Sequence, residues 1–291
     1  MTTEQIYKDF ITSLEGIYEA REAATISDWI FENVTHLERR ERRGDSYKIN
    51  NDQLLQLEVY KNELLLHKPI QYVLNEAWFY KRKFFVNEHV LIPRPETEEL
   101  VSWMIVDIKN TKDILPEQDA TVAGLRILDI GTGSGCIAIS VKKELNNIDV
   151  IALDVNEQAL AVAKKNADHL QAKIDFVCND FLDETTWNSL NQYDVIVSNP
   201  PYIPENEKKV LSKNVTDFEP GIALFVPDND SFIFYKKIAK FAQVHLNPSG
   251  KIYMEVHENY ANKVLQIFKE SNFKTEIRED IYGKQRMLKA W

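Results

Sequence analysis

A doubly wound α/β fold with a mainly parallel sheet, preceded by a small helical bundle, is what this 291-residue sequence predicts. Three observations carry that expectation. From Leu125 onward, short β-favouring runs alternate with helical ones, the pattern of a parallel sheet with helices on both faces. One such run, Arg126-Ile127-Leu128-Asp129-Ile130, passes directly into the glycine loop Gly131-Thr132-Gly133-Ser134-Gly135. Ahead of these, residues 1–75 are poor in glycine, have no proline before Pro69, and repeat their apolar residues at helical spacing.

In the N-terminal stretch, Ile6, Phe10, Leu14 and Ile17 form one stripe, Ile26, Trp29, Ile30 and Val34 a second, and Leu54, Leu57, Tyr60 and Leu64 a third, so residues 1–75 read as a helical bundle. The basic run Arg39-Arg40-Glu41-Arg42-Arg43 reads as a solvated helix end before Gly44. Residues 76–92 change texture. Trp78-Phe79-Tyr80-Lys81-Arg82-Lys83-Phe84-Phe85-Val86 has β-favouring flanks around a polar break, which predicts a β-hairpin linker. In Leu91-Ile92-Pro93-Arg94-Pro95-Glu96-Thr97-Glu98 each residue before a proline is pushed out of helical space, so a helix starts near Thr97 and carries Leu100, Val101, Met104 and Ile105 inward. Asn110 to Ala123 reads as a polar surface connection. The α/β domain takes residues 93–291, with strands expected at 126–130, 149–153, 174–178, 193–198, 250–256, 273–278 and 286–291, and helices near 134–145, 156–168, 231–245 and 258–270.

Composition narrows the function. Lys and Arg number 35 against 45 Asp and Glu, a net charge of −10, which argues against a broad contact with a phosphate backbone. The two cysteines, Cys136 and Cys178, make no disulfide framework and read as small core residues in a reducing compartment. The six histidines show no HExxH pattern and no cysteine partners at zinc spacing, so no metal is expected. Met1-Thr2-Thr3-Glu4 lacks a basic, then apolar, leader pattern, and no later run is long enough to span a bilayer. The expectation is a soluble, cytoplasmic, monomeric protein.

The glycine loop lets the chain turn tightly and lets a ligand approach backbone N–H groups at a helix start. Its third glycine comes one position earlier than in the dinucleotide fingerprint, and no Gly-Lys-Ser/Thr follows. Asp154 closes the next strand, where a carboxylate can accept from both hydroxyls of a ribose; the alternative is a helix cap, a job open to Asn156. The third strand ends in Asn179-Asp180-Phe181, an acid and an aromatic suited to the amine and face of adenine, or an ordinary strand-end turn. Together these predict a seat for an adenosine-containing cofactor.

After the fourth strand comes Asn199-Pro200-Pro201-Tyr202. Two prolines fix two φ angles and remove two N–H donors, leaving carbonyls that no ladder can claim. The Asn199 side-chain oxygen and the Pro200 carbonyl can then accept both hydrogens of one planar NH₂ group. An amide or aniline-like nitrogen delocalises its lone pair, and holding both hydrogens favours the geometry in which that pair points at an incoming methyl group. Tyr202 can pack over the planar group, its face suited to a nearby sulfonium. The plainer reading of Asn-Pro-Pro is a stiff turn.

These motifs resemble those of the HemK/PrmC family, the protein-(glutamine-N5) methyltransferases that act on peptide chain release factors. The likeness extends over nearly the whole chain and is strongest from Pro69 on. It takes in Pro69-Ile70-Gln71-Tyr72, the Leu91 to Glu98 run, Asp217-Phe218-Glu219-Pro220 and Asp280-Ile281-Tyr282-Gly283-Lys284-Gln285-Arg286. The Ile-Pro-Arg-Pro-Glu-Thr-Glu part is the most specific, because generic nitrogen methyltransferases lack it.

The resemblance implies a Rossmann-like class I methyltransferase fold and S-adenosyl-L-methionine as cofactor. That cofactor would be contacted by Gly131, Thr132, Gly133, Ser134, Gly135, Asp154, Asp180, Phe181 and Asn199. Asn199, Pro200, Pro201 and Tyr202 would grip the glutamine of a release factor's Gly-Gly-Gln loop, Asn199, Pro200 and Tyr202 serving catalysis, and the modification would tune translation termination. It further implies that the helical domain helps dock the release factor and that the hairpin links the two domains.

Three positions depart from the family pattern: Asn75 and His257 stand where glycine is usual, and Phe181 where tryptophan is common. Asn75 is expected in the left-handed region. The competing reading is an adenine-N6 methyltransferase acting on nucleic acid, since adenine presents a similar planar NH₂; it would need base flipping and a positive groove. The net charge and the Ile-Pro-Arg-Pro-Glu run count against it. A non-catalytic binding module is a third reading, disfavoured by intact Asn199 and Tyr202.

Overall fold

In the computed structural model, residues 2–42, 47–110 and 124–291 are described. The expected connection at 111–123, and Arg43 and Gly44 of the basic run, lie outside the described residues. The chain divides into two compact units: Met1–Glu76 with Ser212–Phe218, and Ala77–Leu211 with Glu219–Trp291.

The first unit is helical, as its periodicity requires. Helix α1 (Thr3–Leu14) is capped by the Thr2 hydroxyl, which accepts from the Gln5 N–H. Helix α2 (Ala20–Thr35) ends in a left-handed His36. Helix α3 (Asn51–Leu65) opens with a reciprocal capping box between Asn50 and Gln53. The short α4 (Ile70–Leu74) closes on Asn75 at φ 53°, the left-handed asparagine expected there. Phe10, Leu14, Ile30, Phe31, Leu57 and Leu64 form its core.

Two predicted core residues face outward: Trp29 is 48% exposed and Leu54 38%. At about 100° per residue, Trp29 sits about 100° off the Ile26–Ile30–Val34 line and Leu54 about 70° off the Leu57–Leu64 line, outside the face that this narrow core covers. The basic run also departs from its solvated reading. Arg42 is buried, its guanidinium 5.6 Å from the Phe31 ring centroid and 3.5 Å from Asp28, because a planar cation can stack on aromatic faces where an ammonium would stay hydrated.

In the second unit, β1 (Glu76–Phe79) and β2 (Arg82–Phe85) form the expected hairpin, turning through Tyr80 and Lys81, both at positive φ. Phe79 and Phe84 are wholly buried. Helix α5 (Pro95–Asn110) begins at a proline, which costs no hydrogen bond in a first turn, and buries Leu100, Val101, Met104 and Ile105 as expected.

All seven predicted strands of the α/β domain form one sheet. They are β3 (Arg126–Ile130), β4 (Asp149–Asp154), β5 (Asp175–Cys178), β6 (Tyr193–Ser198), β9 (Leu246–Glu255), β10 (Thr275–Glu279) and β11 (Gln285–Ala290). Their order is β10-β11-β9-β6-β3-β4-β5, parallel except that β11 runs antiparallel to both neighbours. One face is covered by α5, α6 (Cys136–Glu144) and α7 (Glu157–His169), the other by α9 (Ile233–His245) and α10 (Ala261–Glu270). Central strands buried on both faces read as near-continuous apolar runs, which is why they were legible. Cys178 corrects one expectation: Cys136 is buried but Cys178 is exposed, because β5 is the sheet's edge strand.

Between β6 and α9 the sequence reading assigns no element. The chain there forms a two-residue parallel bridge between β7 (Ile203–Pro204) and β8 (Phe225–Val226), with α8 (Lys213–Thr216) and short 3₁₀ turns between them. No described helix is long and apolar enough to cross a membrane.

Asn166 of α7 ties three backbone groups together. Its side-chain oxygen accepts from the Phe85 N–H at 2.7 Å, and its amide nitrogen donates to the Phe85 and Ser134 carbonyls at 2.9 Å each. Asn166 is 1% exposed, so water cannot replace it. Asn166→Ala is therefore expected to lower unfolding free energy by about 3 kcal/mol, the cost of buried groups left unpaired. Urea denaturation would measure it.

Candidate functional site

The glycine loop and Asn199-Pro200-Pro201-Tyr202 meet because β3 and β6 are parallel neighbours. Their register pairs Ile130 with Ser198, and the Ser198 hydroxyl donates to the Ile130 carbonyl at 2.7 Å. Gly131 and Asn199 thus leave adjacent strand ends at one level. From β3 the chain runs outward to β4 and β5, then returns to β6 on the other side. This is a topological switch point, where open α/β sheets leave a crevice beyond the carboxyl ends of the strands.

The loop is held from both sides. The N–H groups of Gly131 and Thr132 donate to the Leu153 carbonyl (2.8 and 3.0 Å), and that of Gly133 to Asp154 Oδ2 (2.9 Å). Gly131, Gly133 and Gly135 have φ of 72°, 53° and 79°. Gly135 has a second constraint, since an added Cβ would stand 3.0 Å from Ile139 Cδ1 and 3.2 Å from Ala163 Cβ; helices α6 and α7 pack that closely. Around Gly131 and Gly133 nothing would meet such an atom within 4 Å, so the loop's outer side is open to a ligand.

A cavity of about 270 Å3 lies against that open side. Gly131, Thr132, Gly133, Ser134, Asp154, Asp180, Phe181, Asn199 and Pro201 line it, along with Arg94, Thr97 and Asn179. Of the predicted set, Gly135, Pro200 and Tyr202 are not among the lining residues, though each adjoins one in sequence.

Asn156 caps α7 through Gln158, so Asp154 is not needed as the cap. Its oxygens accept from the Gly133 and Asn156 N–H groups, and burial raises its pKa against the pull of those amides. Asp180 is exposed and accepts from the Leu182 N–H. Phe181 is 3% exposed, its ring 5.4 Å from Trp187 and 5.3 Å from Phe241; it borders the cavity while being anchored in the core.

Buried polar atoms without partners gather here: Asn179 Oδ1, Ser134 Oγ and Asp129 Oδ1. Burial without a partner costs roughly 1–3 kcal/mol each, and such groups call for a ligand or water. Two of these residues, Asn179 and Ser134, line the cavity. With an open outer face on the glycine loop, a strand-end carboxylate and these orphans, the residues fit a polar nucleoside-bearing cofactor, although the N–H groups of Gly131, Thr132 and Gly133 are donated within the fold rather than left free as the sequence predicts.

On the other side, the Asn199 amide nitrogen donates to Thr97 Oγ1 at 3.1 Å, and neither Asn199 Oδ1 nor the Pro200 carbonyl accepts a hydrogen bond among the described residues. The Tyr202 hydroxyl donates to Glu255 Oε1 at 2.9 Å, and its ring lies edge-on to His257, 5.8 Å between centroids. Arg94, on the cavity wall, is paired to the buried Glu219 at 2.6 Å, and Glu219 also accepts from the Ile92 N–H. Those contacts tie the Ile-Pro-Arg-Pro run to Glu219.

The sequence reading missed Thr97, Glu255, Asn179 and Asp129 as site residues. Thr97 and Glu255 carried a usable signal: one lies inside the most specific motif, the other at the carboxyl end of a strand next to β6.

Known proteins resemble this chain closely. Residues 101–217 match the family described as Methyltransferase small domain. A release factor glutamine methyltransferase of Flavobacterium psychrophilum is 43% identical over 283 residues, covering 97% of this chain and 96% of that protein. Those of Bacteroides thetaiotaomicron and Lactococcus lactis are 41% and 40% identical, covering 77% and 83% of this chain and 76% and 84% of theirs.

Asp129 generates a pH prediction. Fully buried, it accepts from Thr132 Oγ1 and the Ala138 N–H, yet burial pushes its pKa up to about 7. The unfolded chain ionises this carboxyl near pH 4, as an ordinary aspartate does, so its contribution to stability falls as pH rises from about 4 to 7 and is level above. Asn at this position stays neutral. Asp129→Asn is expected to gain on the wild type across that window, by about 4 kcal/mol at its upper end. Thermal melts of both proteins at pH 4 to 8 would reveal a gap that does not widen if Asp129 titrates normally.

Proposed function

The chain belongs to the release factor glutamine methyltransferase family, and we propose that it methylates the side-chain nitrogen of the glutamine in the Gly-Gly-Gln loop of peptide chain release factors. The observation that carries the substrate chemistry is the pair of oxygens on Asn199 and Pro200, left without partners beside the cavity.

The donor is S-adenosyl-L-methionine, which when bound supplies an electrophilic methyl group on a sulfonium. The glycine loop from Gly131 to Gly135 and the carboxylate of Asp154 would hold its polar parts, Asp180 and Phe181 would serve its adenine, and Asn199 would serve both cofactor and substrate.

On the substrate side, Asn199 Oδ1 and the Pro200 carbonyl would each accept one hydrogen of the glutamine NH₂, which holds the amide plane fixed and leaves the nitrogen lone pair free for alkylation. Pro201 stiffens the turn, and Tyr202, anchored on Glu255, braces the wall behind it. No general base is needed before transfer, because the nitrogen loses its proton once alkylated. Positioning then supplies the rate, and aligned reactants alone account for roughly 7–11 kcal/mol of a barrier. The N-terminal helical unit, which exposes Leu55, Val59 and Leu66 on and beside α3, docks the release factor. No stable nucleic-acid complex enters this reaction.

Incubation with labelled S-adenosylmethionine, a purified release factor and duplex DNA, followed by peptide mass spectrometry, tests the reading. Label on the loop glutamine is expected; label on DNA alone, or on neither, rejects it. Asn199→Ala is expected to lower kcat by about a thousandfold, the scale of losing one aligned polar contact in a transition state, while cofactor affinity falls less than about tenfold. Isothermal titration and initial rates separate the two effects.

A further inference from the structure

Glu255, at the end of β9, is buried to 2% exposure, and so is Thr97, near the start of α5. The Thr97 hydroxyl donates to Glu255 Oε2 at 2.6 Å and accepts from the Asn199 amide at 3.1 Å. The other carboxylate oxygen accepts from Tyr202. An ionised carboxylate has no hydrogen to give, so both hydroxyls must point at it. Thr97 then has only a lone pair to offer Asn199, and only the NH₂ end of that amide can meet it. We infer that the Glu255–Thr97 pair is a positioning device that locks the Asn199 carboxamide with its oxygen toward the substrate, and so makes the site select a glutamine NH₂ over a glutamate carboxylate.

The inference rests on the proposed glutamine transfer. An unlocked asparagine can rotate its amide and present NH₂, which would repel the substrate's own NH₂ and welcome a carboxylate. Asparagine alone therefore does not define an acceptor; its partner does. Burial makes the lock firm at Thr97, where water cannot stand in for the hydroxyl.

Protonating Glu255 would undo the device. A carboxylic acid can donate to Thr97, whose hydroxyl would then turn toward Asn199 and draw the amide oxygen away from substrate. Burial raises the Glu255 pKa, opposed by the hydrogen bonds from Thr97 and Tyr202 and by Arg286, and assisted by Glu96; the Tyr235 hydroxyl, on α9, meets the Glu255 backbone carbonyl. The active form is the ionised one, so activity is present above that raised pKa and lost as pH falls through it.

Thr97→Val keeps the shape and removes the hydroxyl; Thr97→Ser keeps the hydroxyl. Each is assayed with labelled S-adenosylmethionine and a release factor, alongside wild type, with melts to confirm folding. Thr97→Val is expected to lose 30- to 100-fold in kcat with cofactor Kd within threefold, and Thr97→Ser to stay within threefold of wild type. A release factor carrying Glu for the loop Gln is expected to inhibit Thr97→Val more strongly than wild type. Thr97→Ala serves in place of Thr97→Val should the valine variant not fold. Thr97→Val turning over like wild type, or Thr97→Ser failing as badly as Thr97→Val, overturns the lock while leaving the transfer reading intact. A wild type that labels no release factor overturns both.

Discussion

The parallel pairing of β3 with β6 is the constraint on which the site depends. A parallel neighbour sets the carboxyl ends of two strands side by side, and the register that joins Ile130 to Ser198 puts the glycine loop and Asn199 at one height. A shift of one residue would move the alternating side chains of β6 to the opposite faces, expelling Val195 and Val197 from one core layer and Ile196 from the other. Packing therefore enforces the register far more strongly than any contact within the site could. The glycine loop and the Asn199-Pro200 turn inherit their alignment from buried aliphatic side chains that line neither.

Around that frame the protein spends polar groups in two different ways. Some are fully paired and act as fasteners: Asn166 across the hairpin and loop, Arg94 with Glu219, and Arg286 between Asp280 and Glu258. Others are buried short of a partner, and those include Asn179 Oδ1, Ser134 Oγ and Asp129 Oδ1 beside the glycine loop. The first kind stabilises and orients; the second costs stability until something binds. Beside the glycine loop, where the first kind holds the backbone still, the orphaned atoms stay aimed, since they cannot relax toward partners of their own.

The sheet was readable because each central strand is a short apolar run between turn residues, and the helices because their buried positions recur every three to four residues. The glycine loop and Asn-Pro-Pro-Tyr were readable because backbone conformation is written into glycine and proline directly. Other features depended on what comes together in space. The exposure of Cys178 follows from β5 being an edge strand, which no local pattern states. Arg42, in a turn outside any helix, is buried because Tyr7 of α1 and Phe31 and Asp28 of α2 build its seat. Thr97, Asn199 and Glu255 are separated by 102 and 56 positions in sequence, and only the order of β9 beside β6 and the entry of α5 join them. A motif can name the group proposed to hold the substrate; the residues that orient it come from elsewhere in the chain.

Orientation is the harder problem in this chemistry. An amide side chain offers an acceptor and a donor of nearly equal size and shape, so sterics cannot tell one from the other. A proline carbonyl has no such ambiguity, because its nitrogen carries no hydrogen and its ring holds the backbone still. The pairing of Asn199 with Pro200 therefore joins one acceptor that is fixed by covalent structure to one that must be fixed by its surroundings. Acceptor-only Glu255 resolves the second through a hydroxyl that can point only one way. In the proposed reading, polarity passes from Glu255 through Thr97 to Asn199 by two hydrogen bonds, and the preference for an NH₂ group is a property of the folded domain rather than of the Asn-Pro-Pro-Tyr segment alone.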